Sequence, residues 1–344
     1  MHRRRTIRHY CQAILSILLA VLLIGTNLAP AHADQDNRSW LRPGCDWSPH
    51  GQGMQICYVP SASNGRAMGV VILPAKYGGD GGLYMLGGIG STETDSQWAN
   101  TSAPALFQND NVTLVMPTGG EGQFYADWMY PGTPITNNDF QLLPPPKQIK
   151  WETFLTQELP AWLQQNFGVN PHRNSIVGIS MGAISTLTLA ERHPDQFRQT
   201  FAMSGFLDPA MFGHLVMLTM LSLVTPLFGG GLIFQMWGFN PFVLWNNMMH
   251  LDPMSDLNGL RNVDTIIWVG DGRLPPGHVM PPGLAFIPAF LGEWLINLST
   301  RSFVFKAGLA GVPLTFLTGP GIHAWPTWEL RLAEQRGRIL SVVG

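Results

Sequence analysis

The sequence predicts an α/β fold, with a mostly parallel central sheet and helices on both faces. Three observations lead there. Apolar, β-branched runs ending in turn residues recur along the chain, and helical patterns stand between them. Charged residues make up only 12% of the chain, about half the usual share, which leaves ample apolar material for one large core.

Taken in order, the first 33 residues read as a secretory signal peptide. Arg3, Arg4, Arg5 and Arg8 form a basic start, residues 13–25 are an apolar run, and Ala31 and Ala33 fit a small-x-small cleavage site. The run is short for a bilayer crossing, which needs about 20 apolar residues. Residues 34–344 are then expected to form a single catalytic domain, secreted or held in the cell envelope. Removing the leader's four arginines, and no acid, leaves 16 basic against 22 acidic residues, a net charge of −6. That excludes the basic surface a nucleic acid requires. Of the three cysteines, Cys11 leaves with the leader. In an exported protein the remaining pair, Cys45 and Cys57, is expected to form a disulfide. No Cys/His cluster accompanies it, so no metal site is read.

Strands are expected at residues 69–74, 83–88, 112–120, 175–180, 200–205, 265–272 and 313–321. Each is an apolar run closed by turn residues, as a sheet covered on both faces requires. A helix is expected over 151–167, with Trp151, Phe154, Leu155, Leu159, Trp162 and Leu163 near one face and a kink at Pro160. Further helices follow at 181–193 and 327–343. Functional loops in such a fold lie at the carboxyl ends of the strands.

One of those loops carries the strongest signal. Gly178-Ile-Ser180-Met-Gly182 matches G-x-S-x-G, with an apolar strand before it and a small-residue helix after it. An ordinary tight turn would also fit the five residues; the strand–turn–helix context favours a nucleophilic serine. The base should follow the last strand and precede the final helix, which selects His323 from among His50, His172, His193, His214, His250, His278 and His323. Pattern alone leaves the acid open. Asp271 directly follows a strand, while Glu293 sits in an apolar segment where a carboxylate needs a partner. Two backbone N–H donors are expected to form an oxyanion hole: Met181, directly after the serine, and Ile89 or a neighbouring glycine in the early Leu86-Gly-Gly-Ile-Gly90 turn.

Around these residues stand further stretches: FYADW (124–128), WETFLTQELPAWLQ (151–164), SGFLDP (204–209), MWG (236–238) and IHAWPTW (322–328). Together, in this order and over nearly the whole chain after the leader, they resemble the secreted mycolyltransferases, the antigen 85 complex of mycobacteria and its corynebacterial relatives, which share some motifs with esterase D-like hydrolases. The resemblance implies an α/β-hydrolase fold and transfer of a mycolyl chain. The donor would be trehalose monomycolate, and the acceptor a second trehalose monomycolate or cell-wall arabinogalactan. It assigns the acid to Glu293, matches Ser180 and His323 as nucleophile and base, and matches Ile89 and Met181 as oxyanion donors. Gly90, Asp208 and Trp325 fall at positions lining the substrate site. The chain departs from the family in the early loop, where Gly87 and Gly90 replace the Asp and Arg that contact the sugar, and at Val269, which replaces a cysteine. The acyl chemistry is expected to survive these changes. They bear on the acceptor, for which another glycan or a protein hydroxyl is the alternative. No cofactor is implied.

Two apolar stretches remain: residues 215–236, which carry no charge, and residues 283–298, which contain Glu293. Pro226 and Gly229–Gly231 interrupt the first, which argues against a membrane span. The choices left for it are a buried core helix, a wall or lid over an acyl groove, or a face in peripheral contact with an outer lipid layer. Two rival functions stay open: a secreted carboxylesterase with water as acceptor, and a non-catalytic adhesin or glycan-binding member.

Overall fold

The computed structural model describes residues 36–133, 146–211, 213–227, 231–277 and 286–344, so the proposed leader lies outside the described residues. Asp36–Gly344 clusters as one compact unit. Its nine-stranded sheet is built from β1 (Cys45–Trp47), β2 (Gln55–Ser61), β3 (Arg66–Leu73), β4 (Gly81–Leu86), β5 (Val112–Pro117), β6 (Asn174–Ile179), β7 (Phe197–Met203), β8 (Asp264–Gly270) and β9 (Thr315–Gly319). The order across the sheet is β1-β2-β3-β5-β4-β6-β7-β8-β9.

From β5 to β9 every pairing is parallel; β1, β2 and β3 join in antiparallel fashion. All seven expected strands are present, but β3, expected within a parallel set, runs antiparallel to β5. Sequence reading missed β1 and β2. They belong to the edge hairpin, where β2 alternates buried with more exposed residues instead of forming a continuous apolar run. Cys45 and Cys57 face each other across that hairpin and are joined by a disulfide. Closing so short a loop typically stabilises by about 2–3 kcal/mol.

Every residue of β4, β5 and β6 is buried, because helices cover both sheet faces. The strand period of two then sorts the side chains. In β4, Leu83 and Met85 enter the core beneath the final helix, while Tyr84 and Leu86 enter the core on the opposite face.

The expected first helix is not continuous. A helical turn at Trp151–Thr153 passes into a π-turn at Phe154–Glu158, and only then does helix α1 (Leu159–Phe167) begin. Pro160 lacks an N–H and would crowd the carbonyl four residues back. The wider turn before it absorbs both defects, so the break precedes the proline. Helix α2 (Met181–Arg192) follows Ser180.

The two apolar stretches form α3 (His214–Leu227), α4 (Ile233–Trp237) and the first half of α6 (Phe286–Leu309), with α5 (Pro241–His250) between them. Among the described residues no helix is long and apolar enough to cross a membrane. Helix α7 (Trp325–Val343) closes the chain. Its Trp328, Leu332, Ile339 and Val343 recur at helical spacing and cover one face of the sheet.

Candidate active site

Ser180 stands between the end of β6 and the first turn of α2 with φ 53° and ψ −117°. That is strained backbone for a residue with a side chain, at a cost of roughly 1–3 kcal/mol. The flanking glycines make the turn feasible. A Cβ on Gly178 would lie 2.4 Å from the Gly182 carbonyl oxygen, and one on Gly182 would lie 2.5 and 2.6 Å from the carbonyl oxygens of Gly87 and Leu86. Strand, helix and the turn after β4 can approach this closely only without side chains at those two positions.

His323, in the loop between β9 and α7, brings Nε2 to 2.9 Å from Ser180 Oγ and Nδ1 to 2.9 Å from Glu293 Oε2. Glu293 is fully buried midway along α6. Its other oxygen accepts the Gly270 N–H at 2.6 Å and the Ser204 hydroxyl at 2.8 Å. Ser204 in turn accepts the Trp328 indole N–H at 2.9 Å, so its own proton is free to point at the carboxylate. With donors on both oxygens, Glu293 takes the Nδ1 proton of His323 as acceptor. That leaves Nε2 as the lone pair facing the serine hydroxyl. The line from Ser180 through His323 to Glu293 can therefore remove the hydroxyl proton as the oxygen attacks a carbonyl carbon.

The competing acid is engaged elsewhere. Asp271 accepts from the Arg273 backbone N–H and guanidinium at 2.5–2.9 Å, and its own N–H is held by Gly319. Sequence pattern missed Ser204, Trp328 and the Gly270 N–H. Ser204 and Trp328 do lie in two of the motif stretches, SGFLDP and IHAWPTW.

The turn after β4 is held from both sides. The Gly87 N–H donates to the Tyr125 hydroxyl and the Gly88 N–H to the Gln97 side chain, while the Ile89 carbonyl accepts from Gly122. Burial pushes the Tyr125 phenol up to about 12, so it stays neutral and its oxygen is available as an acceptor. Behind this turn, burial also raises Glu121 to about 7, with a smaller upward push from Glu93. Among the described residues no acceptor takes the N–H of Ile89 or of Met181, and both residues line the same cavity as Ser180.

That cavity is about 450 Å³ and, apart from Ser180 and Ser204, is lined by apolar side chains. Met217 and Leu221 come from α3, Leu295 and Ile296 from α6. The two apolar stretches thus supply part of its walls, beside Phe124, Ile184 and Phe206. At about 30 Å³ per water-sized group it has room for about 15 such groups.

Of the other expected substrate residues, Gly90 is exposed beside Ile89. Trp325 is partly exposed and edge-on to Trp98 and Trp328 at 5.2 and 5.4 Å. Asp208 is 1% exposed, and its Oδ2 accepts from Ser302 and Lys306 of α6, both at 2.5 Å. It does not line the cavity; its neighbour Pro209 does. At Gly87, a Cβ would fall 2.5 Å from Ser91 Oγ and 2.6 Å from Gln97 Oε1, so those side chains occupy the space a larger residue would need.

Comparisons with known proteins show the family. The Esterase family model ("Putative esterase") matches residues 61–339. The diacylglycerol acyltransferase/mycolyltransferase Ag85A of Mycobacterium leprae is 32% identical, over 100% of this chain and 94% of its own. Ag85C of Mycobacterium avium is 32% identical over 86% and 80% respectively. Among solved structures, Mycobacterium tuberculosis MPT51 (FbpC1) aligns with a TM-score of 0.64 at 25% identity, covering 83% of this chain and 97% of that one. The fluorophosphonate-binding serine hydrolase FphF of Staphylococcus aureus shares the fold, with a TM-score of 0.60 at 17% identity over 83% and 98%. With a family model matched over most of its length and 32% identity to two mycolyltransferases over 86–100% of the chain, the chain belongs to the esterase family, among its mycolyltransferase members.

Proposed function

We propose that this protein is a serine acyltransferase that moves a long acyl group, of the mycolyl class, from a glycolipid ester such as trehalose monomycolate to a sugar hydroxyl. The acceptor would be a second trehalose ester or arabinogalactan. The observation that carries the reading is the hydrogen-bonded Ser180–His323–Glu293 line opening onto an apolar cavity, in a chain 32% identical to named mycolyltransferases.

In the first step His323 Nε2 takes the Ser180 proton as Oγ attacks the donor ester. Glu293 holds the Nδ1 proton and balances the imidazolium charge. The N–H groups of Ile89 and Met181 receive the oxyanion; losing one such donor typically costs 10²–10³ in turnover, as an order of magnitude. The proton then passes from His323 to the departing sugar oxygen, leaving the acyl group esterified to Ser180. In the second step His323 deprotonates the acceptor hydroxyl as its oxygen attacks the acyl carbonyl; the acyl–Oγ bond then breaks, the proton passes from His323 to Ser180 Oγ, and the acyl group leaves on the acceptor. The apolar cavity favours an acyl chain, and the strain at Ser180 is sustained by the close-packed glycines on either side.

A second reading, hydrolysis with water as acceptor, is favoured by one observation. Where relatives carry sugar-contacting side chains this chain has Gly87 and Gly90, and Ser91 and Gln97 fill the space at the first of them. One experiment separates the two. Incubation with trehalose monomycolate, with and without added trehalose, is followed by mass spectrometry of the Ser180 peptide and of the lipid products. Acyl-Ser180 with a diacylated sugar product supports transfer; acyl-Ser180 with free acid alone supports hydrolysis; no adduct on Ser180 refutes both.

A further inference from the structure

Helix α3 is at once cavity wall and outer surface, and α5 packs beside it with its carboxyl end leading to a further lining residue. Met217 and Leu221 of α3 line the cavity, as does Leu251 just beyond α5. Their other sides are uncovered: Leu215 is 76% exposed, Phe239 70% and Phe242 86%. Tyr130, Phe234 and Phe239 form one exposed aromatic cluster, with ring centroids 5.6 and 5.9 Å apart. Half-exposed Trp245 rests on His214, at 4.5 Å, and so ties α5 to the start of α3. No lysine, arginine, aspartate or glutamate occurs between Asp208 and Asp252.

Isolated exposed apolar residues need no explanation, but a continuous set of this kind marks a contact surface. We propose that this face docks on an uncharged lipid surface and feeds acyl chains from it into the cavity behind. Three features select lipid over a second protein. Phe239 and Phe242 stand largely uncovered, and the segment carries no charged side chain of its own, whereas protein interfaces carry a polar border with regular hydrogen bonds. Aromatic and aliphatic tips are the side chains that settle at the lipid–water boundary. The face is also continuous with an acyl-sized cavity of about 450 Å³. The absence of Lys and Arg from the segment, in a chain of net charge −2, means that anionic headgroups add nothing to the attraction. The nature of the cargo rests on the acyltransferase reading; the docking does not.

The test is flotation of the purified protein with vesicles of pure phosphatidylcholine, and with vesicles containing roughly 30 mol% phosphatidylglycerol. Wild type should bind both equally, and binding should survive about 1 M salt. The double variant F239D/F242D should bind roughly tenfold less, with unchanged thermal unfolding and unchanged hydrolysis of a soluble short-chain ester. F242S should fall between the two. Failure of wild type to float with neutral vesicles, dependence on the anionic lipid, or a dimer in light scattering that F239D/F242D dissociates would each overturn the proposal. Labelling of Ser180 by a fluorophosphonate probe reads the chemistry separately. Labelling without vesicle binding sinks the docking alone; vesicle binding without labelling sustains the docking and sinks the acyl-enzyme.

Discussion

Replacing Glu293 by glutamine keeps the shape of the site and changes one hydrogen-bonding group. Two donors, the Gly270 N–H at 2.6 Å and the Ser204 hydroxyl at 2.8 Å, converge on Oε1. The His323 ring meets Oε2 at 2.9 Å. A glutamine can place its oxygen at only one of these positions. With its NH₂ toward Gly270, two buried N–H groups would oppose each other at a cost of roughly 1–3 kcal/mol. The carbonyl should therefore take the Oε1 place and the NH₂ should face His323. Nδ1 must then accept, which moves the ring proton to Nε2, where it points at Ser180 and abolishes the base. A misassigned tautomer of this kind lowers turnover by about 10⁴, or about 5 kcal/mol of barrier. The assay is kcat and KM on a soluble short-chain ester, with thermal unfolding as the folding control. KM should change little, because the carboxyl does not line the cavity. The paired control is Asp271→Asn, whose carboxylate is tied to Arg273 and whose loss should alter the rate by less than about twofold. If E293Q kept more than about a tenth of the wild-type rate while D271N lost most of it, the assignment of the acid would be wrong.

Other perturbations probe the surroundings. Ser204→Ala removes a donor to Glu293 and leaves the Trp328 indole N–H without its acceptor. Chemical denaturation should show a loss of about 2–4 kcal/mol, and kcat should drop while KM holds. Glu121 has its pKa raised by burial from 4.5 to about 7, so between those values the folded chain binds the proton that the unfolded chain has lost. Stability should thus fall as pH rises through that window, by on the order of 3 kcal/mol, and level off above it. Glu121→Gln should flatten that part of the profile in urea denaturation at stepped pH; an unaltered slope would remove Glu121 as its source. Leu221→Trp narrows the cavity, and should lower kcat/KM for long-chain esters roughly tenfold relative to butyrate, as measured on a series of ester lengths.

The proposed nucleophile and base were legible because each is fixed by its place between elements. Ser180 joins a buried strand to a small-residue helix, and His323 lies between the last strand and last helix. The acid was not legible from pattern. Sequence tells which strand end a residue follows, and that favoured Asp271 as much as Glu293. Whether a side chain in the middle of a long helix reaches an imidazole 30 positions away depends on how α6 lies against the sheet. Only the family resemblance decided it. Ser204 was invisible for a related reason: its φ of 52° turns the hydroxyl under the sheet's edge toward Glu293, and nothing in the surrounding composition signals a left-handed residue that is not glycine. Strands β3 to β9 stood out as apolar runs, most strongly β4, β5 and β6, which are buried on both faces. The β1–β2 hairpin, wetter and alternating, did not.

Helix α6 also governs how the catalytic parts can move. Glu293 sits on it, the His323 backbone N–H is bonded to its Ala289 carbonyl at 3.1 Å, and Leu295 and Ile296, one half-turn on, form part of the cavity wall. The acid, the tether of the base and the lining that touches cargo are thus carried by a single rigid rod. In the proposed reaction a shift of that rod to admit a bulkier acyl tail would also displace the proton path, so the fit of the tail against this wall should register in the rate of bond making and not only in occupancy.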